Sequence, residues 1–507
     1  MNIAQAKEEI KRALQIYFHR DATGMYTTPA ARQRPILLIG PPGIGKTAVM
    51  EQIAQECHVG LVAYTMTHHT RQSAIGLPRI VSRDYDGEQV QVTEYTLSEI
   101  IASIRDCIAR TGLQEGILFI DEINCVSETL APVMLQLLQN KTFGMHPVPA
   151  GWLICAAGNP PEYNRSARPF DLVTLDRVRT IPIEPDLACW LDYASARNVH
   201  EAVLSFLQMR PDAFYQAESN AARQVFVTAR GWEDLSFLIR SSEELSLPVD
   251  EQQIRQYLGD AKTAKEFAAY YRLCCAARSD YNVRSILEGE PDVMPLEERV
   301  DLLRRASFEE RYLVNSLMTG VLCDEIAGLG EEEDLLQELT DFLRRFPSFQ
   351  QAGAGSACSD APISSPEVLC RPDPLKTCIP EEYERLEKRK AAGLLPPIEE
   401  HRQRQLLKLL EKVREETACR HDVTGPAQWT ALTQEQSRLQ AEAASHTEKI
   451  LGMLDRAFSF SSECAAQEQE LLVLVSGLSR NQKAMHFLSQ HRCEPFLEWS
   501  ARLIPDA

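Results

Sequence analysis

Three short stretches combine residue types whose spacing has chemical meaning. The run Gly40-Pro41-Pro42-Gly43-Ile44-Gly45-Lys46-Thr47 fits the pattern Gly-x-x-x-x-Gly-Lys-Ser/Thr. Glycines let successive backbone amides turn toward an anion, and the helix expected from Ala48 aims its positive end at the same place. The lysine supplies a point charge that reaches β and γ phosphates, and the threonine hydroxyl can hold a divalent cation. Gly40 through Thr47, with Ala48 behind them, are therefore the candidate phosphate-contacting residues. The second stretch is Ile117-Leu118-Phe119-Ile120-Asp121-Glu122, an apolar run ending in adjacent carboxylates. Asp121 is placed to complete a Mg²⁺ shell with Thr47, and Glu122 to orient or deprotonate an attacking water. The third, Ala156-Ala157-Gly158-Asn159-Pro160-Pro161, puts an amide just beyond another apolar run, where Asn159 can bond that water and a γ-phosphate oxygen.

These residues must be positioned by parallel strands, whose carboxyl ends are where open α/β sheets bind ligands. Ile36–Ile39, Leu61–Tyr64, Ile117–Ile120 and Leu153–Ala157 read as buried strands. Helices are expected over Ile3–Phe18, Ala48–Cys57, Leu97–Arg110 and Thr129–Leu138. Ile80, Val81, Val90 and Val92 flank Asp86-Gly87, a hairpin signal, and Thr142–Pro149 reads as a turn. Beyond Pro185 the apolar spacing is helical to about Ala277, and again over Pro295–Phe346. Gln350–Pro380 is rich in Gly, Ser and Pro and reads as a linker. Glu381 to about Leu503 returns to helices, interrupted at Pro396-Pro397 and Gly425-Pro426.

The three motifs in this order resemble the AAA+ ATPases, and within them the MoxR-like, helix-two-insertion group. The resemblance spans about Ile10 to Leu238 and implies a P-loop NTPase core, a parallel sheet flanked by helices. An all-α lid and a helical C-terminal region are expected to follow. The expected intervals are 1–184 for the α/β nucleotide-binding domain and 185–278 for the lid. A helical extension over 279–349, the linker over 350–380 and a helical region over 381–507, read either as a partner-docking module or as a bundle that braces the lid, complete them. The resemblance implies ATP as substrate and Mg²⁺ as cofactor, with Lys46, Glu122 and Asn159 in catalysis. Leu175-Asp176-Arg177-Val178 resembles the segment whose arginine reaches a neighbour's γ-phosphate, with Val178 where relatives have an aromatic residue. Arg177 is the expected finger, and Arg168 and Arg179 are its rivals. Thr228-Ala229-Arg230 resembles the opening of a lid helix, which makes Arg230 a nucleotide contact in cis. Residues His68–Thr93 and Phe143–Pro149 look like the family's insertions near a ring pore. A shared site implies a homo-oligomeric ring, most simply a hexamer. The family context implies a chaperone or remodelling role on a protein client, or on a partner with a von Willebrand factor A domain.

The whole chain sets bounds on these readings. Its 507 residues suggest roughly three domains. With 53 Lys plus Arg against 72 Asp plus Glu, the net charge is −19, which counts against generic polyanion binding and so against a nucleic-acid motor. A non-hydrolysing nucleotide switch or scaffold is the other rival, and the presence of Glu122 and Asn159 argues against it. The start lacks the apolar run of a signal peptide, and no stretch is long enough to span a membrane. The 14 cysteines form no Cys-x-x-Cys pair and read as reduced thiols of a cytoplasmic protein. His68-His69 and Cys358, Cys370 and Cys378 lack the convergent spacing of a metal site. Arg385, Lys388, Arg389, Lys390, Arg402, Arg404, Lys408 and Lys412 alternate with glutamates and read as solvated helix faces.

Overall fold

The computed structural model describes residues 1–66, 75–85, 88–143, 145–164, 166–220, 223–292, 294–345, 373–391, 395, 397–419, 424–465 and 468–503. His68-His69, Asp86-Gly87, Cys358, Cys370 and residues 350–372 of the expected linker lie outside them. The chain divides into two compact units. One comprises Met1–Trp190, Arg210–Lys265 and Ala391–Leu394; the other comprises Leu191–Met209, Glu266–Lys390 and Leu395–Ala507. The interval expected for the lid, 185–278, is thus divided between them.

The first unit is an α/β sandwich. β1 (Ile36–Ile39), β2 (Gly60–Thr65), β5 (Gly116–Asp121), β8 (Trp152–Gly158) and β9 (Arg179–Pro182) form a parallel sheet in the order β2-β5-β8-β1-β9. Its strands read as unbroken apolar runs because both faces are covered. Ile36, Leu38, Phe119, Leu153 and Cys155 pack on one side with α1 (Ile3–Tyr17) and α2 (Lys46–Glu56). Leu37, Leu118, Ile120, Ile154 and Ala156 pack on the other with helices Glu99–Thr111 and Ala131–Asn140. α1 starts where Asn2 and Gln5 form a reciprocal capping box. Burial in these two layers fixes the register β1–β8 (Ile39 opposite Gly158) and β2–β5 (Thr65 opposite Asp121). The motif-bearing ends of β1, β5 and β8 therefore share one rim.

Shorter elements decorate this unit. β3 (Pro78–Tyr85) and β4 (Glu88–Tyr95) pair as an antiparallel ribbon, as the flanking valines predict. The stretch expected as a turn contains a small ladder, β6 (Thr142–Phe143) with β7 (His146–Pro147). The region expected to be all helical after Pro185 contains a second hairpin, β10 (Gln216–Asn220) with β11 (Arg223–Val227), before helices Ala229–Glu244 and Glu251–Tyr257. Val225 and Val227 are buried while Phe226 between them is exposed, the alternation of a half-buried strand. The polar β10 carries no such pattern, which is why helical spacing dominates that interval.

The second unit is helical. Its longest elements are Phe308–Arg345, Pro397–Cys419 and Gly425–Cys464. Leu339, Phe342 and Leu343 of the first pack with Leu386, Leu406, Leu410 and Leu432. A helix spans Pro374–Ala391, so the expected linker is helical from Pro374. Proline suits a first helical position, and the apolar Leu375, Cys378 and Ile379 are buried in the core, overriding the proline-rich composition. The basic residues here are largely neutralised: Arg389 pairs with Glu399, Lys390 with Glu400, Arg402 with Asp334 and Lys412 with Glu435. Among the described residues no helix is long and apolar enough to cross a membrane, and the described cysteines are free thiols.

Lys141 gives a test of the α/β unit. It sits at φ +53 after helix Ala131–Asn140 and donates to the buried amide oxygen of Gln33 at 3.0 Å. Burial pushes its pKa down to about 8. The folded value lies below the unfolded one, so the unfolded chain binds more protons between the two, and stability rises with pH across that window. The contribution is lost as pH falls through about 8. In denaturant titrations between pH 7 and pH 10, Lys141→Met is expected to flatten this rise. The effect should be at most about 3 kcal/mol from the full shift. Parallel wild-type and variant curves would show that Lys141 carries no such penalty.

Candidate functional site

The loop after β1 leads into α2 through Gly45, which has φ +91 and an otherwise open surround, so conformation alone demands glycine there. Gly43, at φ +73, is constrained twice, because a Cβ would sit 2.8 Å from the Thr228 side chain. Thr228 in turn caps the helix Ala229–Glu244 by accepting from the Gly231 amide. The backbone amide of Arg230 donates to Gly43 O at 3.2 Å, and the Tyr215 hydroxyl donates to Pro42 O at 2.9 Å. The loop is thus held by Thr228 and Arg230 of the expected lid-helix opening and by Tyr215, which the sequence motifs leave unmarked.

Lys46 is the centre of the site. Its side chain is only 8% exposed, and Nζ donates to Gly40 O (2.9 Å), Pro41 O (2.8 Å) and Asn159 Oδ1 (2.9 Å). Burial pushes its pKa down to about 8; the Asp121 charge opposes this, Arg230 adds to it, and Glu122 again opposes it. The fields of both carboxylates and of Arg230 therefore converge on this ammonium. Beside it, the Thr47 hydroxyl donates to Asp121 Oδ2 at 2.7 Å, and the Glu122 amide donates to Asp121 Oδ1 at 2.9 Å. Glu122 itself has φ +53, a left-handed conformation uncommon for a side chain of this type.

The structure brings Lys46, Thr47, Asp121, Glu122, Asn159 and Arg230 to the carboxyl rim of the sheet. The three arginines near 170 differ in their partners. Arg179 is ion-paired with Glu9, and Arg168 with Glu128 at 3.0 Å. Arg177 ends the helix Leu172–Arg177, is exposed, and makes no hydrogen bond or ion pair among the described residues. Sequence reasoning passed over Asn124, a buried amide two residues after Glu122 whose Nδ2 donates to Asn159 O at 2.8 Å. The signal was an amide placed just after the carboxylate pair.

The residues fit a magnesium nucleotide. Lys46 is a buried cation held only by neutral acceptors, which a phosphate oxygen can replace. The Thr47 hydroxyl and Asp121 carboxylate form an all-oxygen pair suited to Mg²⁺. Gly43 and Gly45 leave the backbone free of side chains where it would close on phosphates.

Residues 35–175 match the family model described as AAA domain (dynein-related subfamily). Together with the parallel sheet and the glycine loop, this defines a P-loop nucleotide-binding core of the AAA class. Within that class the match places the segment with the AAA+ ATPases. Among solved structures, the chain is similar to a protein named a putative ATPase from Cytophaga hutchinsonii. The two are 18% identical over 38% of this chain and 50% of that one, with a TM-score of 0.24. The chain therefore spans half the length of that protein. It is also similar to a RuvB mutant of Thermotoga maritima, 13% identical over 59% of this chain and 80% of that one, with a TM-score of 0.29. No curated protein matches the chain.

The displaced proton equilibrium of Lys46 makes a binding test. A phosphate beside the ammonium favours its charged form, so nucleotide binding should raise its pKa. At pH values above about 8 the free protein is partly neutral at this position, and binding should take up protons. Calorimetry of an ATP analogue at high pH, in two buffers of different ionisation enthalpy, is expected to show that uptake. Lys46→Ala should abolish it and weaken binding about tenfold or more. Unchanged affinity in the variant would remove Lys46 from the phosphate site.

Proposed function

We propose that this chain is an ATP-hydrolysing AAA+ ATPase of the MoxR-like type that remodels a protein partner. The observation carrying the reading is the pairing at one rim of Lys46 with Asn159 and of Thr47 with Asp121. Gly40, Pro41, Pro42, Gly43, Ile44, Gly45 and Ala48 would wrap the phosphates. Thr47 and Asp121 would hold Mg²⁺, which when bound supplies positive charge to the phosphoryl oxygens. Lys46 exchanges its neutral acceptors for β and γ oxygens. Glu122 orients the attacking water and accepts its proton, and the Asn159 amide holds the same water in line. Arg230, whose backbone is already bonded to the loop, stabilises charge in cis.

Arg177 completes the site of a neighbouring subunit. Its exposure and the absence of a side-chain hydrogen bond or close ion pair among the described residues, with only the charge of exposed Asp171 nearby, support that role over Arg168 and Arg179, each of which is ion-paired with a carboxylate. A ring, most simply a hexamer, follows from a site shared in this way. The acidic balance favours a protein client, or a partner with a von Willebrand factor A domain, over nucleic acid in a cytoplasmic setting. The helical region 381–507 is the proposed docking module, with 185–278 as the interval that moves against the core.

The test is steady-state ATP hydrolysis against protein concentration, with mass photometry of the same samples. Turnover per subunit should rise as the protein assembles. Glu122→Gln should bind ATP and assemble with turnover at least about a hundredfold lower. Arg177→Ala should bind ATP without turnover, and mixing it with Glu122→Gln should restore part of the activity. A constant rate per subunit in the monomer would overturn the shared site, and ATP loading without any turnover would mark a nucleotide switch instead.

A further inference from the structure

We infer that Asn124 is a positioning residue, which fixes the Asn159 amide against Lys46 and ties it to the segment leading to Arg177. The inference rests on the hydrolytic reading above. Asn124 is only 6% exposed and lies in the short turn Ile123–Cys125 after β5. Its Nδ2 donates to Asn159 O at 2.8 Å and, more weakly, to Arg168 O at 3.4 Å. Its own backbone oxygen accepts from the Arg168 amide at 2.9 Å. The neighbouring Cys125 thiol accepts from the Asn164 amide group at 3.2 Å. One buried turn thus holds both ends of the stretch from Asn159 to Arg168.

The other side of the Asn124 amide is equally constrained. A Cβ on Gly158 would lie 2.8 Å from Asn124 Oδ1, so the last residue of β8 must be small for the amide to seat. Asn159 Oδ1 is in turn an acceptor for Lys46 Nζ at 2.9 Å. The linkage runs Lys46–Asn159–Asn124–Arg168, with Arg177 at the end of the next helix. A shift of Asn159 when Lys46 exchanges its amide partner for a phosphate oxygen is carried by Asn124 into that segment. Asn124 touches no reacting atom in this scheme; it acts through Asn159.

The test uses the full chain with Asn124→Asp, which keeps the size but turns the Nδ2 donor into an acceptor facing two carbonyl oxygens. Gly158→Ala is the second variant, since it displaces the amide without removing any hydrogen-bonding group. Both are expected to lower kcat at least about tenfold while KM and the affinity for an ATP analogue stay within about twofold. Combined with Asn159→Ala, Asn124→Asp should cost less than a further twofold, because it acts through the amide already removed. Hydrogen exchange supplies a readout independent of turnover: the amides of Tyr163, Ala167 and Arg168, bonded to Pro160 O, Asn164 O and Asn124 O, should exchange at least about tenfold faster in both variants, with β5 unchanged. Additive loss with Asn159→Ala, or unchanged exchange of these amides, would overturn the inference. Should wild type bind ATP without turning it over, the hydrolytic reading fails, while the exchange result still decides the positioning role.

Discussion

One buried ammonium organises the nucleotide end of the α/β unit. Lys46 is enclosed by oxygens from the ends of two adjacent strands, Gly40 and Pro41 after β1 and Asn159 after β8. None of these acceptors carries charge. Desolvating a cation without a directly paired anion is costly, and the depressed pKa expresses that cost. The sheet can sustain it because apolar layers on both faces fix where those strands end. The result is a buried cation whose direct hydrogen-bond partners are all neutral, a setting that an anion would complete.

The same two-sided burial decides what the sequence reveals. Fully covered parallel strands are continuous apolar runs, so β1, β5 and β8 stand out, and the residues just after them are the ones that can act. Lys46, Thr47, Asp121, Glu122 and Asn159 were legible for this reason, as local patterns tied to strand ends. What escaped depends on distant partners. Asn124 meets Asn159 and Arg168 across sequence separations of 35 and 44 residues. Arg168, Arg177 and Arg179 look alike in sequence and separate only when Glu128 and Glu9 are seen beside two of them. The hairpin Gln216–Val227 and the early start of helix Pro374–Ala391 were hidden because tertiary burial, not local composition, selects their conformation.

The adjacent carboxylates pose a geometric problem that the fold solves locally. In an extended strand, neighbouring side chains point to opposite faces, so Asp121 and Glu122 would be separated by the sheet. The strand ends at Asp121, and Glu122 turns into the left-handed region at φ 53, ψ 37. Both charges oppose the fall that burial imposes on the Lys46 pKa. A left-handed glutamate is strained, of order 1–3 kcal/mol, and persists only where its surroundings over-determine it. The Glu122 amide bonded to Asp121 Oδ1 holds one side, and the turn anchored by Asn124 holds the other. The strain therefore lies between the residue that pairs with Thr47 and the residue that seats Asn159. The residue that pairs with Thr47, the left-handed glutamate and the amide bonded to Asn159 thus lie on one short stretch of backbone, 121–124.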